Sequence, residues 1–187
     1  VISKKCKICR KPNRPFKNTC SIECEAELGL RLLEKAKRAE AKNVRAVDKV
    51  RKEKLKSRSD WIKEAKKAMH DYVRARDAGK QCISCDTRLP IETKLGGGFD
   101  AGHYRSVGSA KHLEFDERNI HGQCKHCNDW LAGNAVEYRH GLIARFGVEF
   151  VESLECDNQP RKLTIDDLKQ IRDKYRKKLR DLKTTVN

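Results

Sequence analysis

The sequence predicts a small α+β fold in which cysteine clusters replace much of a hydrophobic core, and three observations point there. Eight of the nine cysteines fall into four close pairs, Cys6/Cys9, Cys20/Cys24, Cys82/Cys85 and Cys124/Cys127. A charged stretch over 23–56, almost free of helix breakers, predicts a long basic helix between the first two pairs and the last two. Apolar stripes at helical spacing flank the second cluster on both sides. The expected organisation is a four-cysteine finger at 1–24, a charged helical linker at 25–58, a compact domain at 59–156 and a basic C-terminal helix at 157–187.

Close pairs favour metal over disulfides, because zinc takes two thiolates from one knuckle. Four pairs therefore predict two structural Zn²⁺ ions and a reducing compartment, the cytoplasm. The finger is spaced Cys-x2-Cys-x10-Cys-x3-Cys, with Pro12 and Pro15 in its loop. So few residues cannot build a core, so the metal must hold them. A disulfide pair is the alternative. Cys156 is left over, and a buried free thiol is its expected state.

Over 23–56, Ala, Glu, Lys, Leu and Arg dominate, Gly29 is the lone glycine and proline is absent. Such a helix would be about 50 Å long. A heptad seam through Leu33, Ala36, Val47 and Val50 is broken by Glu40 and Asn43. The stretch is therefore either a solvent-exposed spacer or a dimer arm.

Ser59 is the expected N-cap of the next helix, Asp60–Asp77, with Trp61, Ile62, Ala65, Ala68, Met69, Tyr72 and Val73 on its core face. His70 interrupts this stripe and reads as a surface residue. Gly79 stops the helix. A Gly96-Gly97-Gly98 turn and short strands around Asp100–Tyr104 follow. After Cys127 a helix should carry Leu131, Ala135, Tyr138, Leu142 and Phe146 on one face, weakened by Gly133 and Gly141 at about 1 kcal/mol each. Thr164-Ile-Asp-Asp167 resembles a capping box. It opens a last helix with Ile165, Leu168, Ile171, Tyr175, Leu179 and Leu182 on its apolar side.

With 43 Lys/Arg against 27 Asp/Glu, the formal charge of the 187-residue chain is +16. That excess favours a polyanionic partner, most commonly nucleic acid, although a solvated basic surface would look alike. No apolar run approaches the ~20 residues of a membrane span. No leader pattern is visible at Val1-Ile2-Ser3-Lys4.

The second cluster encloses more than zinc ligands. Asp100-Ala-Gly-His103 lies between Cys82-x2-Cys85 and Cys124-x2-Cys127, Glu117-Arg-Asn119 precedes the last pair, and Asn128 follows it. This ordered set resembles the HNH nucleases of the ββα-metal (His-Me finger) kind. Gly102-His-Tyr-Arg105, Phe115-x2-Arg118-Asn-Ile-His121, Gln123-Cys-x2-Cys-Asn128, Gly133-Asn134 and Tyr138-Arg139 bring it closer to one family. They are similar to the lambda-type phage recombination proteins of the NinG (Rap) family, and the likeness extends to the finger, the linker and the basic C-terminal helix.

The resemblance implies an HNH core flanked by helices. It also implies a metal-dependent endonuclease selective for branched DNA, Holliday junctions and D-loops, in phage recombination. His103 would then be the general base, with a pKa near 6.5 suited to neutral pH. Asn128 would ligate a catalytic Mg²⁺ or Mn²⁺, and Asn119 would hold the loop carrying the base. Arg105, Arg118 and Arg139 are the expected DNA contacts; a guanidinium suits paired phosphate oxygens. Symmetric junction cleavage implies a homodimer, and phage or host recombination proteins are further expected partners.

Two departures from the HNH pattern matter. The third signature position, often histidine, is Asn128, whose neutral amide would bind Mg²⁺ weakly without substrate phosphate. Gly102 stands where a metal ligand often precedes the histidine. Asp100, three residues back, should face away from His103 on a regular strand. Its two readings are a metal role, direct or through water, and stabilisation of a turn. His121 reads as support, His126 as an exposed knuckle residue, and His112 and His140 carry no signal. Two competing functions remain: a non-catalytic zinc module that binds DNA or recruits a recombination partner, and a general HNH nicking enzyme.

Overall fold

The computed structural model describes residues 4–13, 17–91 and 98–185. Residues 96 and 97 of the expected glycine turn, and Pro15, lie outside them. The chain forms two compact units, Val1–Lys56 and Ser57–Asn187. Both are mostly helical; among the described residues, strands contribute two short pairs. The expected α+β balance is corrected in that direction, because the cysteine clusters hold segments too short to extend a sheet.

In the first unit, β1 (Lys4–Lys5) pairs antiparallel with β2 (Pro12–Asn13). Helix α1 (Ile22–Lys54) starts at Ser21, whose hydroxyl accepts the Cys24 N–H at 3.3 Å. Cys24 therefore sits in the first helical turn, so the cap fixes one member of the thiol cluster. Glu23 and Glu25 at the start, with Arg51, Lys52 and Lys54 at the end, complement the helix dipole. No side chain of α1 is buried. Leu33, Val47 and Val50 of the broken seam are 61%, 67% and 54% exposed.

The second unit is built on α2 (Arg58–Asp77) and α5 (Ile165–Thr185), which pack face to face. Their seam joins Ala68, Met69, Tyr72 and Val73 to Tyr175, with Ile171, Leu179 and Leu182 alongside. Trp61 and Ala65 meet Leu168 in the same way. The cap of α2 is Ser57, not Ser59. Ser57 stands three residues before Asp60, so hydroxyl and carboxylate satisfy each other's backbone N–H groups, at 3.3 and 3.0 Å. Thr164 and Asp167 form the same reciprocal box on α5, at 2.7 and 3.2 Å.

Strands β3 (Phe99–His103) and β4 (Ile120–Cys124) form an antiparallel pair with Asp100 opposite Gln123 and His103 opposite Ile120. Ala101 and Ile120 pack into the α2–α5 core. Asp77, buried at the end of α2, braces this hairpin: its carboxylate accepts the Gly122 N–H at 2.9 Å and the Arg76 guanidinium at 2.9 and 2.6 Å.

The helix expected after Cys127 is interrupted. A single wide, π-type turn spans His126–Trp130, and Ala132, Gly133 and Asn134 then all adopt positive φ. Helix α3 (Ala135–Phe146) follows, and α4 (Val148–Cys156) was not anticipated. Tyr138 and Leu142 are fully buried with Ile83 and Val151. Leu131, before the break, stays 46% exposed because it lies outside α3, and Phe146, the last residue of α3, is 47% exposed at the helix end. Gly141 is a contact point, not a weakness. A Cβ there would lie 1.8 Å from the Ile83 carbonyl oxygen, so only glycine lets α3 sit on the 82–85 knuckle. Cys156 is exposed, contrary to the buried thiol expected, since the α4 core face is taken by Val151 and Leu154.

Candidate functional site

Both cysteine clusters assemble. The sulfurs of Cys6, Cys9, Cys20 and Cys24, and those of Cys82, Cys85, Cys124 and Cys127, each lie within 4.8 Å of one another. Tetrahedral coordination at about 2.3 Å per Zn–S bond requires sulfur separations of about 3.8 Å. Cys20–Cys24 and Cys85–Cys124 are each 3.8 Å apart. Backbone N–H groups also point at the thiols, as expected around thiolate ligands: Ser84 and Cys124 donate to Cys82 Sγ at 3.4 and 3.3 Å, and Cys127 to Cys124 Sγ at 3.4 Å. The donors fit two closed structural zinc sites, with no ligand position left over for chemistry.

The second cluster ties the hairpin to the turn that carries Asn128. That turn brings Asn128 to Asp100: the amide nitrogen donates to Asp100 Oδ2 at 3.2 Å and to Asp129 Oδ1 at 2.8 Å. Lys125 Nζ holds the other Asp100 oxygen at 2.8 Å. Asp100 is thus the focus of a small oxygen-rich patch with a cation already on it. A hard divalent ion would need the Asn128 amide turned to present its oxygen, together with the Asp100 carboxylate and substrate oxygens. Gly102, on the same side of β3, leaves room for Gln123, whose Oε1 would be 2.2 Å from a Cβ there. A side chain at this position would have to displace the Gln123 amide.

His103 lies on the opposite side of β3, toward α2. Its Nε2 sits 3.2 Å from the Glu114 carbonyl oxygen. A carbonyl can only accept, so Nε2 carries the proton and Nδ1 keeps a free lone pair. Burial lowers the pKa of this imidazole; the Glu114 hydrogen bond opposes the shift and Lys66 adds to it. The ring is therefore neutral at pH 7.

His70 was expected at the surface and is instead half-buried against His103, with ring centroids 5.7 Å apart. Burial, then the neighbouring His103, push its pKa down to about 4. The signal for it was thin: His70 interrupts the apolar stripe of α2, and nothing in the sequence says which residue it meets.

Asn119 is fully buried at the neck of the 105–118 loop. Its oxygen accepts the Arg105 N–H at 2.8 Å, and its nitrogen donates to the carbonyls of Arg105 and Leu113 at 2.9 and 3.4 Å. The amide joins the chain just after His103 to the segment that supplies the Glu114 carbonyl. His121 is buried beside Tyr138, and its pKa is lowered to about 4, chiefly by burial and then by Arg76. Tyr138 donates to the Gly102 carbonyl at 3.0 Å, anchoring β3 next to His103.

The three arginines expected on DNA also have partners within the fold, Arg118 and Arg139 while remaining partly exposed. Arg105 donates to the carbonyls of Leu154, Glu155 and Asp157 at 2.8–3.3 Å, capping the end of α4. Arg118 forks onto Asp116 and reaches Asp157, and Arg139 pairs with Glu155 at 2.8 Å. Their donors serve the fold because helix ends and loop carboxylates lie within reach.

Comparison with known proteins decides the family. The model of the bacteriophage lambda NinG protein matches residues 2–185. The chain belongs to the NinG family. Protein ninG of Escherichia phage 933W is 38% identical over 196 residues, covering 97% of this chain and 94% of that protein. The ninG proteins of Salmonella phage P22 and Escherichia phage lambda are 44% and 43% identical over 72% and 73% of this chain, and 64% of each of theirs. No solved structure matches. Among the described residues of this NinG-family chain, no helix is long and apolar enough to cross a membrane.

Proposed function

We propose that this NinG-family chain is a metal-dependent endonuclease that cuts branched DNA, Holliday junctions and D-loops, during phage recombination. β3, β4 and the Asn128 turn would form an HNH core of the ββα-metal kind. The observation that carries the reading is the hydrogen bond from His103 Nε2 to the Glu114 carbonyl. It leaves a neutral imidazole with Nδ1 free, in the state a general base needs. Selectivity for branches rests on the family resemblance, and a second copy is invoked because paired cuts across a junction need two sites.

His103 would take the proton from the attacking water as that water adds to phosphorus and the 3′ oxygen leaves. Asn119 would keep the base aimed by closing the neck of its loop. Asp100 and Asn128 would be the residues that hold a divalent ion. Such an ion, when bound, supplies charge stabilisation at the phosphate and at the departing oxygen. Asp100 and His103 are three residues apart, about 10 Å along a strand, and face opposite sides of it, which separates such an ion from the base and weighs toward a non-catalytic reading.

A second reading has its own support. Lys125 already neutralises Asp100, and Asn128 presents its nitrogen to that carboxylate. Both suit a non-catalytic zinc module that binds DNA. The discriminating experiment compares wild type with His103→Ala on linear duplex, flap, D-loop and four-way junction in Mg²⁺ or Mn²⁺. The expected result is binding retained and cleavage reduced at least 10³-fold, about 4 kcal/mol of transition-state stabilisation. Wild-type cleavage unaffected by the substitution would remove His103 from the chemistry, and no cleavage by either protein would favour the binding module.

A further inference from the structure

Arg105, Arg118 and Arg139 already have partners within the fold, which directs attention to cations that have none. Lys66, Lys111 and Lys162 stand out. Among the described residues their side chains make no ion pair or hydrogen bond, although the protein is rich in both. They are not scattered. Lys111 and Lys162 line a cavity of about 490 Å³ together with Arg58, Arg161 and Ile62, and Glu114 is the lone carboxylate in its wall.

That cavity connects to His103 in two ways. Arg58, Ile62, Lys66 and His70 follow one another at four-residue intervals on α2 and so form one ridge of the helix. The ridge starts in the cavity wall and ends at His70, against the His103 ring. Glu114, from the opposite wall, supplies the carbonyl that holds His103 Nε2. Lys66 acts electrostatically on both histidines, lowering their pKa, which places its charge within range of each ring. Arg58 gives one donor to the Leu163 carbonyl at 2.8 Å, and Arg161 pairs with Asp157 at 2.7 Å. Asp157 offsets the charge of Arg161, and the carbonyl leaves that of Arg58 in place, so Arg58 and the three lysines carry the uncompensated charge.

We propose that this channel, from the Arg58–Lys111–Lys162 cavity along the α2 ridge to His103, is the track that holds the phosphodiester backbone of the DNA strand presented to the site. An ammonium on a long stem suits a backbone contact, which needs charge and reach but no base identity. The track deepens the nuclease reading and rests on it for the claim that the bound strand is the one cut. Its binding role is separable.

The test is fluorescence anisotropy on a labelled four-way junction, without added magnesium or manganese, across a salt series. Lys66→Ala/Lys111→Ala/Lys162→Ala is compared with wild type and with Lys35→Ala/Lys42→Ala/Lys49→Ala on α1, which removes the same charge. Zinc content and circular dichroism confirm that both variants are folded. The expected result is at least tenfold weaker binding by the track variant, with the log–log salt slope reduced by about 2 to 3, near 0.9 per phosphate contact. The α1 variant should stay within threefold of wild type. Binding by the track variant equal to wild type, or a larger loss in the α1 variant, overturns the proposal. Wild type that cuts while the track variant binds normally refutes the track alone. Wild type that binds through the track yet never cuts refutes the nuclease and leaves the track.

Discussion

Individual side chains here owe their chemical state to where the backbone puts them. His103 is the clearest case. Burial disfavours its imidazolium, the Lys66 ammonium adds to this, and the Glu114 carbonyl partly offsets both. On the remaining sides it meets His70, itself neutral, while Asp71 beside that residue is tied to Lys67 and Arg74 at 2.8 and 2.6 Å. A base with a lowered pKa keeps its activity as pH falls through the ordinary value and loses it only on reaching the folded one. Single-turnover cleavage against pH should therefore show an acid-limb midpoint below 6.5; a midpoint above it contradicts this environment for the working base. At this scale the sequence was informative about residue type and poor about partners. His103, Asn119 and Asn128 could be singled out from motif order. His70 could not, because whether an interruption in a helical stripe faces solvent or a neighbour depends on tertiary packing. The three arginines have fold partners that the sequence did not announce, for a related reason: a guanidinium that suits phosphate suits a helix C-terminus equally well.

Elements were legible in proportion to their length. The long charged helix, α2 and α5 follow directly from period, caps and composition. The region between Cys127 and Cys156 does not, since one π-type turn and three positive-φ residues break its pattern without leaving a proline behind. Two glycines show how context reverses the meaning of one residue type. Gly29, inside α1, has nothing within 4 Å of an added Cβ, whereas Gly141 would drive one into the Ile83 carbonyl. Gly29→Ala should stabilise α1 by about 0.5–1 kcal/mol through lost backbone freedom in the unfolded chain. Gly141→Ala should cost about 2–3 kcal/mol, because the contact is with backbone and cannot yield by a rotamer change. Denaturant unfolding of the two variants, followed by circular dichroism, checks the opposite signs. A neutral Gly141→Ala would mean that α3 and the 82–85 knuckle are not packed as described.

For the whole molecule, four thiols at each of two places set the conditions under which it folds. The second unit has a core between α2 and α5 and a buried Asp77 brace, so its helices have support independent of metal. The finger has neither, and α1 buries no side chain. Stripping metal with a strong chelator should abolish hydrogen-exchange protection at the finger and over the first turns of α1, and lower it at the β3–β4 hairpin. α2 and α5 should keep most of theirs. Protection unchanged after verified metal loss would show that the clusters are not structural zinc sites. The bareness of α1 has one more consequence. With no interior to fill, its 33 residues place almost no demand on side-chain identity beyond helix-forming tendency and the two ends. A saturation mutagenesis map that runs flat along α1 and rises on reaching Trp61 would mark the helix as a spacer, whereas sensitivity confined to Leu33, Val47 and Val50 would mark it as a dimer arm.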